Sequence, residues 1–374
     1  MSILRTGADP KFFTTRISIP LGSLHLSGGV KVLLLIANGL ARRKHPVTLI
    51  VPDFASDSPF RLHSGISVHA VRTGPKWLPM PLRKLSYYMK LCWRSAAGAD
   101  LCLANYYLTA YGVVLSRLLH GGRPRVLWYI QGYEAGSHGL MAEAGALSRG
   151  IRFLLASLSY RLPVKILCVS GWVKERIGRR DAVVVPPPAL NLEVFRPGPR
   201  EHREDRVVIG AIGRTGETKG YGDFLDALEK LIIPDGVQVT VLVASPKEGE
   251  VPLPTRFPSE GIHARTEEAM AGFYSRCDIF VLPSRMEGFP LPPLEAMACG
   301  SAVVSADCGG ISEYGRDRVN CIIVPARSPE KLARAISLLI ADPGFRWRLQ
   351  QEGFQTAGQH GQEEGIARFL SNVV

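Results

Sequence analysis

Short apolar runs of strand length alternate with longer stretches of helical spacing along nearly the whole chain. That alternation leaves few folds open. In the first half the strand-like runs are R-I-S-I-P, V-T-L-I-V-P, I-S-V-H-A-V, D-L-C-L-A, R-V-L-W-Y-I and K-I-L-C-V-S, with helical patterns between them over residues 30–42 and 154–161. Parallel neighbours need a crossover long enough to hold a helix, so the pattern predicts an α/β fold, a parallel sheet with helices on both faces. The alternation is interrupted once. Prolines 186, 187, 188, 197 and 199 stop regular structure, and the charged run E-H-R-E-D-R follows. It then restarts with R-V-V-I-G-A-I-G, V-Q-V-T-V-L-V, C-D-I-F-V-L-P, S-A-V-V-S-A and C-I-I-V-P. Two doubly wound, Rossmann-like domains are expected, residues 1–198 and 199–358, with a last amphipathic segment over 359–374. Ligands of such sheets bind beyond the carboxyl ends of the strands, so two facing domains would share a central cleft.

Composition narrows the class. At 46% hydrophobic and 21% charged residues the chain suits a soluble globular protein. No run of 18 apolar residues is present, so no membrane-spanning helix is expected. The opening M-S-I-L-R-T-G-A-D-P-K lacks the apolar core of a signal peptide. A cytoplasmic protein, or one on the inner face of a membrane, is the expectation. Cysteines 92, 102, 168, 277, 299, 308 and 321 form no C-x-x-C pair and read as buried thiols. Residues 1–195 hold 25 Lys and Arg against 9 Asp and Glu, a balance of +16, whereas residues 196–374 hold 20 against 24, a balance of −4. The first half therefore suits an anionic partner: nucleic acid, an anionic membrane surface or a phosphate-bearing substrate. No recognisable nucleic-acid motif accompanies the charge, which argues against the first.

Two stretches at predicted strand ends carry candidate chemistry. In G-A-I-G-R-T-G-E-T-K-G, residues 210–220, Gly213 and Gly216 allow a tight turn beside two cations, Arg214 and Lys219. Arg bonds a phosphate bidentately and Lys acts as a point charge, so the pair suits a diphosphate. The spacing is neither a Walker A loop nor G-x-G-x-x-G, and alone it also describes an ordinary basic surface turn. In E-G-F-P-L-P-P-L-E-A-M-A-C-G, Glu287 ends a strand, Pro292 and Pro293 suit a first helical turn, Glu295 falls in that helix and Gly300 suits its end. Two carboxylates at one strand edge are acceptors for hydroxyls of a ribose or a sugar ring. The helix N-terminus favours phosphate.

Together these motifs resemble the family 4 retaining glycosyltransferases, and the resemblance covers nearly the whole chain. Besides the Glu-x7-Glu signature and the Arg–Lys–Gly loop, Y-S-R-C-D-I-F-V-L-P-S, A-D-C-G-G-I-S-E-Y and N-C-I-I-V-P are similar to the segments flanking the signature. S-G-G-V-K-V-L-L-L-I-A-N-G-L-A-R-R-K-H-P-V-T-L-I-V-P is similar to the family's Gly-Gly loop, first helix and second strand. V-S-G-W-V-K-E-R-I and L-E-V-F-R-P resemble the approach to its hinge. The resemblance implies the GT-B fold, with the donor held by the second domain and the acceptor mainly by the first. It implies transfer of a sugar from a nucleotide-diphosphate donor with retained configuration, no cofactor and no required metal. By position, Arg214 and Lys219 would hold the diphosphate and Glu295 the ribose hydroxyls. Glu287 would contact the donor sugar, helped by backbone N–H groups of Gly288, Phe289 and Leu291. Gly28, Gly29 and Gly213 would let backbone approach the donor, and the final helix would cross back to the first domain.

Two residues depart from the family pattern. Gln131 stands where a His is frequent; it can bond a sugar hydroxyl but cannot carry a proton. Pro290 stands where Gly is common and removes one donor. His138, in the same loop as Gln131, is a spare candidate for acceptor contact. Residues 75–94 mix five Lys and Arg with two Trp and two Tyr and no acid, which suits an anionic membrane surface and hence a lipid-linked or surface-glycan acceptor. A degenerate GT-B protein that binds without catalysis, or a sugar-nucleotide epimerase, are the competing expectations.

Overall fold

Two parallel sheets, one on either side of the proline-rich segment, organise the computed structural model. It describes residues 14–22, 24, 28–53, 61–72, 77, 80–139, 145–198, 205–245 and 249–373. The first domain runs β1 (Ile17–Pro20), α1 (Gly28–Arg42), β2 (Val47–Pro52), β3 (Ile66–Val71), α2 (Met80–Ala96), β4 (Leu101–Ala104), α3 (Tyr107–Leu119), β5 (Arg125–Ile130), α4 (Glu134–Gly139), α5 (Ala146–Ser159), β6 (Lys165–Cys168), α6 (Gly171–Ile177) and β7 (Val183–Val184). The second runs β8 (Arg206–Ile212), α7 (Tyr221–Glu229), β9 (Gln238–Ser245), β10 (Ser259–His263), α8 (Glu267–Arg276), β11 (Ile279–Leu282), α9 (Leu291–Ala298), β12 (Ala302–Ala306), β13 (Ile322–Val324), α10 (Pro329–Ala341) and α11 (Pro343–Gly358); α12 (Gln362–Val373) follows.

Both sheets are parallel throughout, with strand orders β3-β2-β1-β4-β5-β6-β7 and β10-β9-β8-β11-β12-β13. This is the GT-B architecture. Each order reverses direction once, between β1 and β4 and between β8 and β11. The loops leaving those strands diverge there and open a crevice. The central strands are apolar along their whole length because helices cover both faces: β1, β4, β11 and β12 are buried at every position. All seven cysteines are buried thiols.

The last helix packs on the first domain. Ile366 of α12 lies where a Cβ on Gly39 of α1 would sit 2.5 Å from it, and Phe369 meets Tyr129 of β5 edge-on at 5.3 Å. The proline-rich segment ties to the approach of α12, with Leu190 N–H donating to the His360 carbonyl at 3.1 Å and Gln362 N–H to the Leu190 carbonyl at 2.8 Å.

Candidate active site in the interdomain cleft

A cavity of about 660 Å³ lies between the two carboxyl-end edges. From the second domain it is lined by Arg214, Lys219, Glu287, Gly288, Phe289 and Glu295, and from the first by Gly28, Gly29, Lys31 and Gln131. Arg214 and Lys219 come from the loop after β8, and Glu287 from the loop after β11, so the switch point itself brings them together. Gly220, at φ +63°, makes the join tight: a Cβ there would lie 2.1 Å from the Pro283 carbonyl oxygen. The two loops are further tied by Arg285, which bonds Asp223 of α7 through two nitrogens at 2.9 and 2.8 Å, while its N–H donates to Thr218. Lys219 Nζ consequently meets Glu287 Oε1 at 2.8 Å. Glu287 is held by its backbone, its N–H donating to the Cys308 carbonyl and its carbonyl accepting from Gly310. Arg214 lines the cavity half-buried. Gly213 is buried under Val243 and Val251, in a space that a Cβ would fill.

The turn leading into α9 is sparing in donors. Pro290, Pro292 and Pro293 carry no N–H, so Gly288, Phe289 and Leu291 supply the backbone donors there. Glu295 is buried one turn into α9. Its Oε1 accepts from Lys31 Nζ at 2.8 Å and its Oε2 from the Tyr274 hydroxyl at 2.9 Å. Each oxygen keeps a second lone pair for a hydroxyl. Lys31 also reaches Glu267 at 2.9 Å and lies 5.1 Å from the centre of the Phe195 ring. Burial works against its ammonium, but Glu295 and Glu267 outweigh burial and hold its pKa above the usual lysine value. Lys31 thus clamps α1 of the first domain to α8 and α9 of the second. Neither Lys31, Glu267 nor Tyr274 is legible as a site residue in the sequence. The Lys31–Glu295 pair spans 264 positions, and no local pattern signals it.

Gln131 leaves the end of β5 and places its side-chain oxygen beside Gly29, where a Cβ would lie 3.3 Å away. Its backbone carbonyl touches the second domain: a Cβ on Gly288 would lie 2.1 Å from it. A further interdomain contact stacks Gly309, at φ +88°, on the Trp172 ring of α6, and Gly171 N–H donates to Glu313 Oε1 at 2.5 Å. The side chain of His138 lies outside the described residues. Of residues 75–94, Tyr87 turns inward to donate to the Leu21 carbonyl at 3.3 Å, whereas Trp77 and Trp93 are exposed. Among the described residues no group of three or more metal-ligating side chains occurs, and no helix is long and apolar enough to cross a membrane.

The loop that carries Gln131 rests on Glu134, the first residue of α4. Its Oε2 accepts the Tyr107 N–H at 2.9 Å, capping α3. Burial pushes this carboxyl up to about 8, against the opposing pull of that hydrogen bond. A carboxyl raised above its unfolded value binds more protons folded than unfolded, so native stability falls as pH rises between the two values. We expect the thermal midpoint of the wild-type protein to drop between pH 5 and about pH 8.5 by more than that of Glu134→Gln, which keeps the acceptor without the charge. Superimposable pH profiles of the two proteins in differential scanning calorimetry would mean instead that Glu134 is ionised over that whole range and would overturn the expectation.

Two parallel doubly wound domains, facing each other over a cleft with two cations and a carboxylate pair on one wall, define a GT-B protein. Sequence comparison fixes the family. A model described as "Glycosyl transferases group 1" matches residues 206–342, and one described as "Glycosyl transferase 4-like domain" matches residues 27–198. The chain belongs to the group 1 glycosyltransferases, of the family 4 type.

It is similar to D-inositol 3-phosphate glycosyltransferase 1 of Catenulispora acidiphila, 29% identical over 206 residues, covering 49% of each chain. It is also similar to the N,N'-diacetylbacillosaminyl-diphospho-undecaprenol alpha-1,3-N-acetylgalactosaminyltransferase of Campylobacter jejuni, 39% identical over 94 residues, a quarter of each. The chain therefore spans half or less of the length of these curated relatives. In fold it resembles HepE of Anabaena, solved in complex with UDP-glucose, at a TM-score of 0.70 and 19% identity over 96% of this chain and 100% of that one.

Proposed function

We propose that the protein is a retaining glycosyltransferase that moves a sugar from a nucleotide-diphosphate donor to a glycan, lipid-linked or other surface-polysaccharide acceptor. The observation that carries this reading is the convergence of Arg214, Lys219, Glu287 and Glu295 on one wall of the cleft, with Gln131 and the Gly28–Gly29 backbone on the other. The diphosphate would lie against Arg214 and Lys219. Their positive charge is fixed before reaction, and it stabilises the charge that grows on the departing nucleotide. With that role met by side chains, the reaction as proposed needs no metal. Glu295 would accept ribose hydroxyls with its remaining lone pairs. Glu287, oriented by Lys219 and by its backbone bonds, would accept from the donor sugar while the N–H groups of Gly288, Phe289 and Leu291 donate to it. Gln131 would bond a hydroxyl of the sugar or acceptor from across the cleft. Retention follows the family resemblance. A site on the cytoplasmic side of a membrane, where lipid-linked acceptors lie, accords with the basic first half and residues 75–94.

The test is product formation. The purified protein would be incubated with UDP-, GDP-, ADP- and dTDP-sugars and with lipid-linked or glycan acceptors, and nucleoside diphosphate and glycosyl product would be quantified. Stabilisation by one nucleotide family, about 2.7 kcal/mol at roughly 100 times Kd, would identify the donor class beforehand. Product with inverted linkage would refute retention. An epimerised nucleotide sugar formed without acceptor would replace transfer with isomerisation.

A further inference from the structure

Two carboxylates and one ammonium meet beside α9, and the cluster is short of donors. Lys31 of α1 bonds Glu295 Oε1 of α9 at 2.8 Å and Glu267 Oε1 of α8 at 2.9 Å, and the Tyr274 hydroxyl donates to Glu295 Oε2 at 2.9 Å. Each carboxylate offers about four lone-pair sites, more than the N–H groups of one lysine and the O–H of one tyrosine can fill. All three charged groups line the cavity, so the spare acceptor sites face the space a ligand would fill. Charge selects that ligand. With one cation to two anions the cluster is net negative, which repels a phosphate and suits a neutral group that donates hydrogen bonds, a diol. The geometry depends on Lys31, the member that comes from the first domain. Without its ammonium, Glu267 and Glu295 would face each other as unpaired like charges in a site of low exposure, and they would turn apart or take up a proton. Phe195, itself buried, closes one side of the ammonium at 5.1 Å from its ring centre.

We propose that Lys31 is a positioning residue for donor recognition: it fixes the Glu295 carboxylate in the orientation that reads the 2′- and 3′-hydroxyls of the donor's ribose, so that a residue of the first domain sets a specificity of the second. This rests on the reading of Glu295 as the acceptor for ribose hydroxyls. A bond to one oxygen alone would let the carboxylate turn about it. Here Lys31 holds Oε1 and Tyr274 holds Oε2, from different elements, and the lone pairs that remain are aimed by the bonds already made. Acceptors fixed beforehand spare the ligand the ordering they would otherwise need. A nucleotide without those hydroxyls leaves the lone pairs of a buried carboxylate unmet, which sites built to bond a hydroxyl punish heavily. The donor class follows. Sugars carried on ribonucleoside diphosphates are taken, and those on 2′-deoxyribonucleoside diphosphates are refused. The flexible four-carbon stem of Lys31 lets its ammonium follow small shifts of the first domain, so the ribose seat survives modest movement between the domains.

The experiment is isothermal titration calorimetry of the full chain with UDP, GDP and ADP, each beside its 2′-deoxy and 2′,3′-dideoxy counterparts. The wild type is expected to bind at least one of these ribonucleotides about 100-fold more tightly than its dideoxy form, from roughly tenfold for each hydroxyl bonded to a charged group. The 2′-deoxy form should fall between them. In Lys31→Met, which keeps an unbranched stem and removes the charge, the preference for the ribonucleotide is expected to drop below about fivefold. A lysine that only joined the domains, or only attracted the diphosphate, would weaken both forms alike and leave their ratio unchanged. Lys31→Gln, which keeps a neutral donor, should show an intermediate preference, and it carries the test if the methionine variant does not fold. A wild-type preference under about threefold, or a preference undiminished in the variants, would overturn the proposal while leaving nucleotide binding in place. Binding of none of the three nucleotides would overturn the donor reading itself, and the role of Lys31 with it.

Discussion

Lys219→Ala is expected to lower kcat/KM by about 10³-fold and Arg214→Ala by about 10²-fold, in the range found when one charge-stabilising donor is removed from an active site. Both side chains would face the same leaving diphosphate, but they differ in what their loss leaves behind. Arg214 lines the cavity without an ion-pair partner among the described residues, so its removal subtracts only what it gives the ligand. Lys219 bonds Glu287 at 2.8 Å, so its removal also leaves a largely buried carboxylate unpaired beside an anionic substrate. The double variant should lose much less than the product of the two single losses, because groups that act on one charge are not additive. Arg214→Lys should recover only part of the loss, since the bidentate fork is gone. Steady-state kinetics with the donor identified by thermal shift would decide. Losses under threefold in both single variants would remove the diphosphate from this loop.

The fold was readable from the sequence because its central strands are buried on both faces and so appear as uninterrupted apolar runs. β10, Ser259–His263, escaped that reading because it is a largely exposed edge strand with little apolar character, and β7 because it is two residues long. Arg214, Lys219, Glu287 and Glu295 stood out for a related reason. They follow strands and sit among glycines and prolines, which mark turns at the sheet edge. The groups that join the domains left no such trace. Lys31 reads as one more cation in an apolar helix, and its partners Glu267 and Glu295 lie far along the chain. Helix α5 is the same kind of case, since Leu147, Ile151, Leu154 and Leu158 recur at helical spacing and yet are all exposed. Helical spacing reports that one face is apolar but not what covers it. Residues 75–94 show the limit within a single helix, where Tyr87 packs inward and Trp93 faces out.

Gly288→Ala should separate donor binding from transfer. The added Cβ would lie 2.1 Å from the carbonyl oxygen of Gln131 and 2.9 Å from the Cα of Gly132. Both are backbone atoms of the other domain, so no side-chain rotation relieves the overlap. The domains would have to part by about 1 Å at the point where donor and acceptor meet, and a displacement of that size costs on the order of 10²-fold in rate. We therefore expect kcat/KM to fall at least about 100-fold. Arg214, Lys219 and Glu287 all belong to the second domain with Gly288, so stabilisation by the nucleotide diphosphate alone should survive. Equal loss of nucleotide binding and transfer would mean instead that the substitution collapses the Glu287–Leu291 turn within its own domain. Wild-type kinetics in the variant would mean that the two domains never approach this closely during turnover, and that Gln131 acts, if at all, from a more open cleft.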